Sequence, residues 1–435
     1  MAINVLIANG DSSFMRNVAF NLKSKYGWNI CYFIGPKEFK SKVKKMLPNV
    51  IYHEKHLAKT FKVPSQCRHI PLATIDKKII KELSYNESIY IKLLDRINFD
   101  DSFTYSKRII TYHTQLMYWK GVLDYFKPNI VVFRIAPHGV FDYIIYTLCK
   151  LLDIKTIMFD RPSIPGLIIP VYSFETGSIT LFEEYKLKLK GINSSNIKIS
   201  KFMEKYISSV RGSYQKGMPL HIKKRINVSP NNLSFSNIIK EFLKLITTIP
   251  FGTIKDRKSQ YYKFKGLLKR KQLHQYYDNL SIAADLNKPY ILVALQCEPE
   301  RQASPCGDAF SNQYLMIDLL SKCIPNDWTV YVKEHISQYK NHQNAELSRT
   351  KMFYDFIDSK PNVELINNIY NSFDLIDKSI ATATISGTIG WESVLRGKPA
   401  LLFGFAWFRE CEGVFITDTK KRLQRAINII NNNYK

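Results

Sequence analysis

Residues 379–404 read SIATATISGTIGWESVLRGKPALLFG, and the changes of pattern inside this stretch decide the fold. Ile380 to Thr384 is a short apolar run, a buried strand that leads into Ser386-Gly387-Thr388. A helix opens at about Ile389 and carries Glu392. Gly397-Lys398-Pro399 stops that helix and turns the chain into a second strand, Ala400 to Phe403. Strand, helix and strand at this spacing argue for a parallel α/β sheet. The turn also carries chemistry. Backbone N–H groups at the helix start, with Ser386 and Thr388 hydroxyls beside Gly387, suit a phosphate, and Gly390 keeps the first turn free of side chain. Glu392, one turn in, is placed to accept ribose hydroxyls. An ordinary strand–turn–helix with Ser or Thr capping accounts for the same letters equally well. No Gly-Lys-Ser/Thr follows the glycines and no G-x-G-x-x-G occurs, so this is neither a Walker loop nor a dinucleotide fingerprint.

The same alternation extends outward. From Lys288 onward the spacing predicts strands at Tyr290–Leu295, Thr329–Lys333 and Val363–Ile366. Helices are expected at Gln313–Lys322, Ala345–Ile357 and Ile369–Asp377, with a closing helix at Lys420–Ile430. The N-terminal half repeats the theme. Strands are expected at Ile3–Ala8, Asn29–Ile34, Val50–His53, Ile130–Arg134 and Lys155–Phe159. Helices are expected from a Ser12 or Ser13 cap towards Tyr26, over Tyr105–Phe126 and over Phe141–Leu152, while residues 55–105 show no clear period. The domain reading is therefore 1–200, an N-terminal Rossmann-like domain; 201–285, a basic linker or membrane-facing segment; 286–420, a C-terminal Rossmann-like domain; and 421–435, a closing helix.

Composition bounds the function. A chain of 435 residues, 45% hydrophobic and 23% charged, is globular and long enough for two or three domains, which excludes a disordered or fibrous protein. Seven scattered cysteines with no C-x-x-C pair indicate neither a disulfide framework nor a zinc site, and fit a reducing cytosol. The start MAINVLIANG lacks the basic and apolar regions of a signal peptide, and no apolar run is long enough to span a bilayer. The net charge of +26 calls for an anionic partner. Residues 201–280 hold 17 Lys or Arg against 4 Asp or Glu, half of that excess. Within them, Asn237–Ile249 has amphipathic spacing and KDRKSQYYKFKGLLKRKQLHQYYDN interleaves basic and aromatic residues. This segment reads either as solvated helices packed on the body or as a dock for an anionic membrane surface. Nucleic-acid binding is a third reading, for which no recognisable module is present.

Two further clusters sit just past strand ends, where open α/β sheets bind ligands. Val332-Lys333-Glu334-His335 puts Lys333 and His335 on one side of an extended chain, able to reach one phosphate, although a lone His is often structural. LQCEPERQASPCGDAFSNQ, residues 295–313, is a long polar loop in which Gln296, Glu298, Glu300 and Gln313 are candidate cleft residues.

Taken in order, LQ-x-x-PE-x(4)-P-x-G-x-x-F-x-NQ, VKEH and DLI-x(7)-T-x-SGT-x-GWE-x(4)-GKPALLFG-x-AW resemble the bacterial capsular polysaccharide synthesis family that includes β-Kdo transferases. The resemblance covers roughly residues 288–410, and the chain departs from it at Ile336, where proline is common. It implies an α/β fold of the GT-B class, two Rossmann-like domains facing a central cleft. It also implies a glycosyltransferase with a CMP-activated acidic sugar as donor: Kdo, or pseudaminic, legionaminic or sialic acid. On that basis Lys333 and His335 bind donor phosphate or carboxylate, Ser386, Gly387 and Thr388 hold the CMP phosphate, Glu392 holds the ribose, and Gln296 and Glu300 line the donor site. No metal or other cofactor is expected, because CMP brings one phosphate that Lys, His and helix-start amides can meet.

The N-terminal half is then expected to supply the reactive carboxylate, as base for inversion or nucleophile for retention. Asp160, after the strand KTIMF and before Arg161-Pro162, resembles the acidic motif of such transferases without its usual glycine; a turn or cap role fits it as well. His138 is the next catalytic candidate, Asp11 and Arg161 are candidate acceptor contacts, and Asp142 and Glu175 are weaker options. The expected partners are the CMP-sugar, a glycan acceptor that lipid could carry, and an anionic membrane surface, with no nucleic acid. The expected place is the inner face of the cytoplasmic membrane. A UDP-sugar transferase or nucleotide-sugar epimerase keeps the fold and changes the chemistry; a polyanion-binding protein is the reading outside enzymes.

Overall fold

The computed structural model describes residues 3–97, 103–189, 197–217, 234–251, 253–340 and 345–433. The chain divides into two compact units, Met1–Leu94 with Phe103–Ile179, and Asp95–Ser102 with Thr180–Lys435.

The first unit is built on six strands: β1 (Asn4–Ile7), β2 (Asn29–Gly35), β3 (Ile51–Glu54), β4 (Ile130–Phe133), β5 (Lys155–Asp160) and β6 (Ile169–Val171). Their order is β3-β2-β1-β4-β5-β6. All neighbours are parallel except β5 and β6, which are antiparallel. This is the strand order of a Rossmann-type sheet, with the change of direction between β1 and β4. The first crossover shows why the sequence folds so. Ser12 caps the helix Ser13–Tyr26, its hydroxyl accepting from the Met15 N–H at 3.3 Å, and Gly27 ends it in the left-handed conformation (φ 67°) that favours glycine. The helix Val140–Leu151 is buried over most of its surface, as its nearly continuous apolar sequence requires.

The second unit repeats the topology with β7 (Tyr290–Ala294), β8 (Thr329–Lys333), β9 (Val363–Leu365), β10 (Ala381–Thr384), β11 (Ala400–Leu402) and β12 (Val414–Ile416). The order is β12-β11-β10-β7-β8-β9, every pair parallel. Alternate residues feed two cores. Ile291, Val293, Val330 and Val332 face one side, and Tyr290, Leu292 and Tyr331 face the other. Burial on both faces is what continuous apolar strands demand. The fold class expected from the sequence, α/β with two Rossmann-like domains, holds.

The segments between and after the sheets differ from the sequence reading. The second unit takes up the chain from Thr180, rather than from 286. Val210 of the helix Lys201–Arg211 joins one core, and Leu273 and Tyr277 of the helix Ile254–Leu280 join the other. The last helix, Lys420–Asn433, contributes Leu423, Ala426, Ile427 and Ile430 to that same core. In the unread stretch 55–105 lie two α-helices, Lys55–Lys59 and Lys77–Leu93. Among the described residues, no helix is long and apolar enough to cross a membrane, and no disulfide joins the cysteines.

Candidate functional site

In the second sheet the chain leaves β7 for β8 and returns to β10 on the other side of β7, so the switch point lies between β7 and β10. Two chain segments meet there. Gln296, just past β7, donates from Nε2 to Thr384 Oγ1 at 3.2 Å. The Gly387 N–H donates to the same hydroxyl at 3.0 Å. A Cβ on Gly387 would lie 2.1 Å from Gln296 Nε2, so glycine is what permits this approach. Gly387 is also the N-cap of the helix Thr388–Leu395, and no side chain caps it. The amides of the first turn therefore face outward without the hydroxyl partner that Ser or Thr capping would have supplied.

The two hydroxyls have other work. Ser386 Oγ donates to the Gln302 carbonyl at 2.7 Å, which ties loop 295–313 to the switch point. Thr388 Oγ1 donates to Glu392 Oε1 at 3.2 Å. Burial pushes the Glu392 carboxyl up to about 7, opposed by the Thr388 hydrogen bond and by Arg396. Glu392 is therefore about half protonated near neutral pH, able both to donate to and to accept from hydroxyl groups. Tyr206 accepts a hydrogen bond from Trp391 Nε1 at 3.0 Å, which brings the helix Lys201–Arg211 against this turn.

One strand away from the switch point, β8 ends in Lys333. Its ammonium makes no hydrogen bond and no ion pair among the described residues. Burial lowers its pKa to about 8, with the neighbouring Glu334 opposing the shift. A desolvated cation without an internal counter-ion is a ready seat for an anion. His335, two residues on, accepts the Ser337 N–H on Nδ1 at 3.1 Å; a neutral ring then carries its proton on Nε2. Glu334, between them, points the other way and is buried.

What holds this arrangement is a buried ion cluster that the sequence reading missed. Arg349 is fully buried. It donates from Nε to Glu334 Oε2 and from Nη1 to Glu298 Oε1, both at 2.8 Å, and from Nη2 to the Gln296 carbonyl at 3.1 Å. Tyr354 donates to Glu334 Oε2 and Gln313 Nε2 to Glu298 Oε1, each at 2.8 Å. Glu298 and Gln313, read as cleft residues, are therefore interior struts, and the guanidinium joins loop 295–313 to the end of β8. Glu300 is half-buried, and its carbonyl accepts the Ala303 and Ser304 N–H groups at 3.0 Å in the turn of that loop.

In the first unit the candidates stand at successive strand ends. Asp160 closes β5, and its Oδ1 accepts the Arg161 N–H at 2.8 Å, while the Arg161 side chain is exposed. His138 Nδ1 lies 2.8 Å from the Ala136 carbonyl. An oxygen that only accepts fixes the proton on Nδ1 and leaves Nε2 as the basic atom in the neutral ring. Asp11, read as an acceptor contact, is held by Lys55 Nζ at 2.6 Å and Arg134 Nη1 at 3.1 Å. The two cations are what sequence reading overlooked at this switch point, since neither adjoins Asp11 in the chain. Asp142 is buried, accepting from Asn9 Nδ2 at 2.6 Å and from the Gly139 N–H at 2.7 Å as the first-turn partner of its helix. Glu175 accepts from Tyr146 and Ser173 and lies 3.5 Å from Lys150. The last two are structural residues. Among the described residues, no group of three or more His, Cys, Asp or Glu is disposed to hold a metal ion.

Fold and site thus define an α/β protein of two Rossmann-like units, with Glu392 one turn into the helix at the second switch point and Lys333 at the end of the adjacent strand. Residues 222–426 match the family described as capsule polysaccharide biosynthesis protein, the family that the motifs of residues 288–410 resemble. No curated protein matches the sequence. Among solved structures, the chain resembles UDP-GlcNAc 2-epimerase from Methanocaldococcus jannaschii, with 11% identity, 100% of this chain and 93% of that chain covered, and a TM-score of 0.27. It also resembles the β-Kdo 2,7 transferase KpsC of Thermosulfurimonas dismutans, with 8% identity, 74% and 86% covered, and a TM-score of 0.32. The β-Kdo 2,4 transferase of the same KpsC gives 12% identity, 78% and 82% covered, and a TM-score of 0.27.

Proposed function

We propose that the protein is a glycosyltransferase that moves an acidic ulosonic sugar from a CMP-activated donor onto a surface glycan. The observation that carries the reading is Lys333, a half-buried lysine at the carboxyl end of β8 whose ammonium makes no hydrogen bond or ion pair among the described residues. In this reading Lys333 and His335 Nε2–H meet the donor phosphate or the sugar carboxylate. The Thr388 amide at the uncapped helix start receives the single phosphate of CMP, with Gly387 letting the backbone approach, while Gln296 shapes the floor and Glu392 takes the ribose hydroxyls. Ser386 acts through its bond to the Gln302 carbonyl, holding the loop that carries Glu300. One phosphate matches a turn in which residues 386–392 contain no basic side chain. The reading calls on no metal, because the developing charge on the leaving CMP is met by Lys333, His335 and fixed amide dipoles.

The first unit takes the acceptor. Asp160 is the proposed catalytic carboxylate, with His138 Nε2 as a further proton-accepting group and Arg161 as an exposed contact for an anionic acceptor. Asp11 serves indirectly, by setting Lys55 and Arg134 at the edge of the sheet. The test is release of CMP from CMP-Kdo, CMP-sialic, CMP-pseudaminic and CMP-legionaminic acids with glycan acceptors, and from the same mixtures with Asp160→Ala or Lys333→Ala. The proposal expects release from at least one donor, lost in both variants. Turnover of UDP-GlcNAc, as transfer or as epimerisation, with no CMP-sugar consumed would overturn it.

A further inference from the structure

The basic segment singled out in the sequence is not used by the proposed reaction, and the structure gives it a definite shape. The helix Phe235–Phe251 packs on the helix Ile254–Leu280, with Phe242 and Phe264 meeting at 5.6 Å between ring centroids. The second half of the longer helix is anchored in the core of its unit by Leu267, Leu273 and Tyr277. Its first half is solvent-facing, so the pair forms a hairpin with one end fixed. The shorter helix has two apolar sides. Ile238 and Leu245 are half-buried on the side packed against its partner. Phe235, Ile239, Leu243 and Ile246 lie at spacings of four, four and three on another side and are 72%, 42%, 54% and 47% exposed. Four large apolar side chains in one line on a soluble surface need a cover.

The charge around the stripe says what kind. Residues 235–265 hold seven Lys or Arg against two acids. Both acids are engaged locally: Glu241 pairs with Lys244 at 2.6 Å, and Asp256 accepts the Thr253 N–H at 3.2 Å within its own helix cap. Lys240 flanks the stripe, and Arg257, Lys258 and Lys263 stand exposed on the partner helix. An apolar line bordered by cations matches a surface whose interior is hydrocarbon and whose boundary is anionic. A nucleic acid would be served by the charge but not by aliphatic side chains, and a second copy of the chain would meet the same positive field. We infer that this hairpin docks the protein on an anionic bilayer, with Phe235, Ile239, Leu243 and Ile246 entering the headgroup region and the flanking lysines pairing with lipid phosphates.

The test uses the full chain with phosphatidylcholine vesicles, with and without phosphatidylglycerol. Wild type should sediment with the anionic vesicles and be released by ~0.5 M salt, where screening shortens the reach of its charges to a few ångströms. Leu243→Asp with Ile246→Asp should lower the partition at least tenfold, and Lys240→Glu with Lys258→Glu should do the same. These positions are exposed, and an unchanged melting temperature and an unchanged CMP response would show that the fold and the donor site stand. Equal binding to both vesicle types, or binding untouched by the Asp pair, would overturn the inference. So would a wild-type dimer that the Asp pair turns into monomer with no effect on vesicles, or salt-sensitive capture by RNA with no vesicle binding. The inference does not depend on the donor, so the two readings fail separately.

Discussion

At the residue scale three ionisable groups matter most: burial opposes the charge of Lys333 and of Glu392, and two carboxylates neutralise that of Arg349. Lys333 carries its charge at a cost below about pH 8, and the unfolded chain binds the extra proton between there and the ordinary Lys range, so this residue makes the free protein more stable as pH rises through that window. Lys333→Met should therefore raise the melting temperature near neutral pH while removing the response to CMP, a combination that scanning calorimetry with and without ligand reads directly. The charged form is also the one that binds an anion. Affinity for CMP should fall as pH passes about 8, and titration calorimetry in buffers of different ionisation enthalpy should show proton uptake on binding there. Glu392 runs in the other sense. Its carboxyl stays protonated in the fold up to about 7, so stability is lost as pH climbs from the ordinary carboxylate range through neutrality. Glu392→Gln should stabilise the protein at about pH 8 by on the order of 1 kcal/mol, and by much less in acid, where wild type is neutral as well. Arg349 is the third. Replacing it with Met leaves Glu298 and Glu334 buried without a cation, and the expected loss is about 3–5 kcal/mol in urea unfolding. An unchanged midpoint would refute the strut role. The positions of Lys333, His335 and Glu392 were readable from sequence because each stands at a fixed offset from a strand or helix end. Arg349 was not, because its two carboxylate partners lie 15 and 51 residues away in the chain and nothing local marks it.

At the element scale, close approach between strand ends and loop sets what glycine must do. A Cβ on Gly404 would stand 2.4 Å from the Cys306 carbonyl and 2.5 Å from that of Ile385. Both are backbone atoms, which cannot swing aside. Gly404→Ala should cost about 1–3 kcal/mol and loosen loop 295–313, measured as lower thermal stability and faster amide exchange over that loop. Gly387→Ala meets the Gln296 side chain instead; that side chain can move, so the fold should survive and CMP binding should weaken. Helices with a polar cap and an apolar stripe were readable from sequence, and Tyr105–Phe126 matches residue for residue. The edge strands Ile169–Val171 and Val414–Ile416 were not read; Pro170 argues against a strand in the first. The helix Lys77–Leu93 was hidden by its composition: only Leu83, Ile89, Tyr90 and Leu93 are buried, and polar residues fill the intervals. The turn at 386–388 was read as an anion site through its backbone N–H groups and two hydroxyls together; in the structure Ser386 is bonded to the Gln302 carbonyl, Thr388 to Glu392, and no side chain caps the helix.

At the scale of the whole molecule, two sheets with the same strand order arise from two runs of the same local grammar, each with the β1–β4 type of reversal that opens a crevice at its carboxyl edge. That much follows from period and punctuation, which is why the fold class was legible. The boundaries were not, since Val210, Leu273 and Tyr277 reach the second core from a segment whose charge disguises its buried face. The net charge of +26 creates a field over the whole surface that attracts anions. In the proposed function the switch point of the second sheet binds a cytidine monophosphate unit. It is tested most directly by the shift in melting temperature with CMP, CDP, UMP, UDP and GDP at matched concentrations, because a ligand that binds only the folded state must raise it. The account predicts the largest shift with CMP, lost in Lys333→Ala and in Gly387→Ala. A shift with UDP and none with CMP would contradict it and leave only the fold standing.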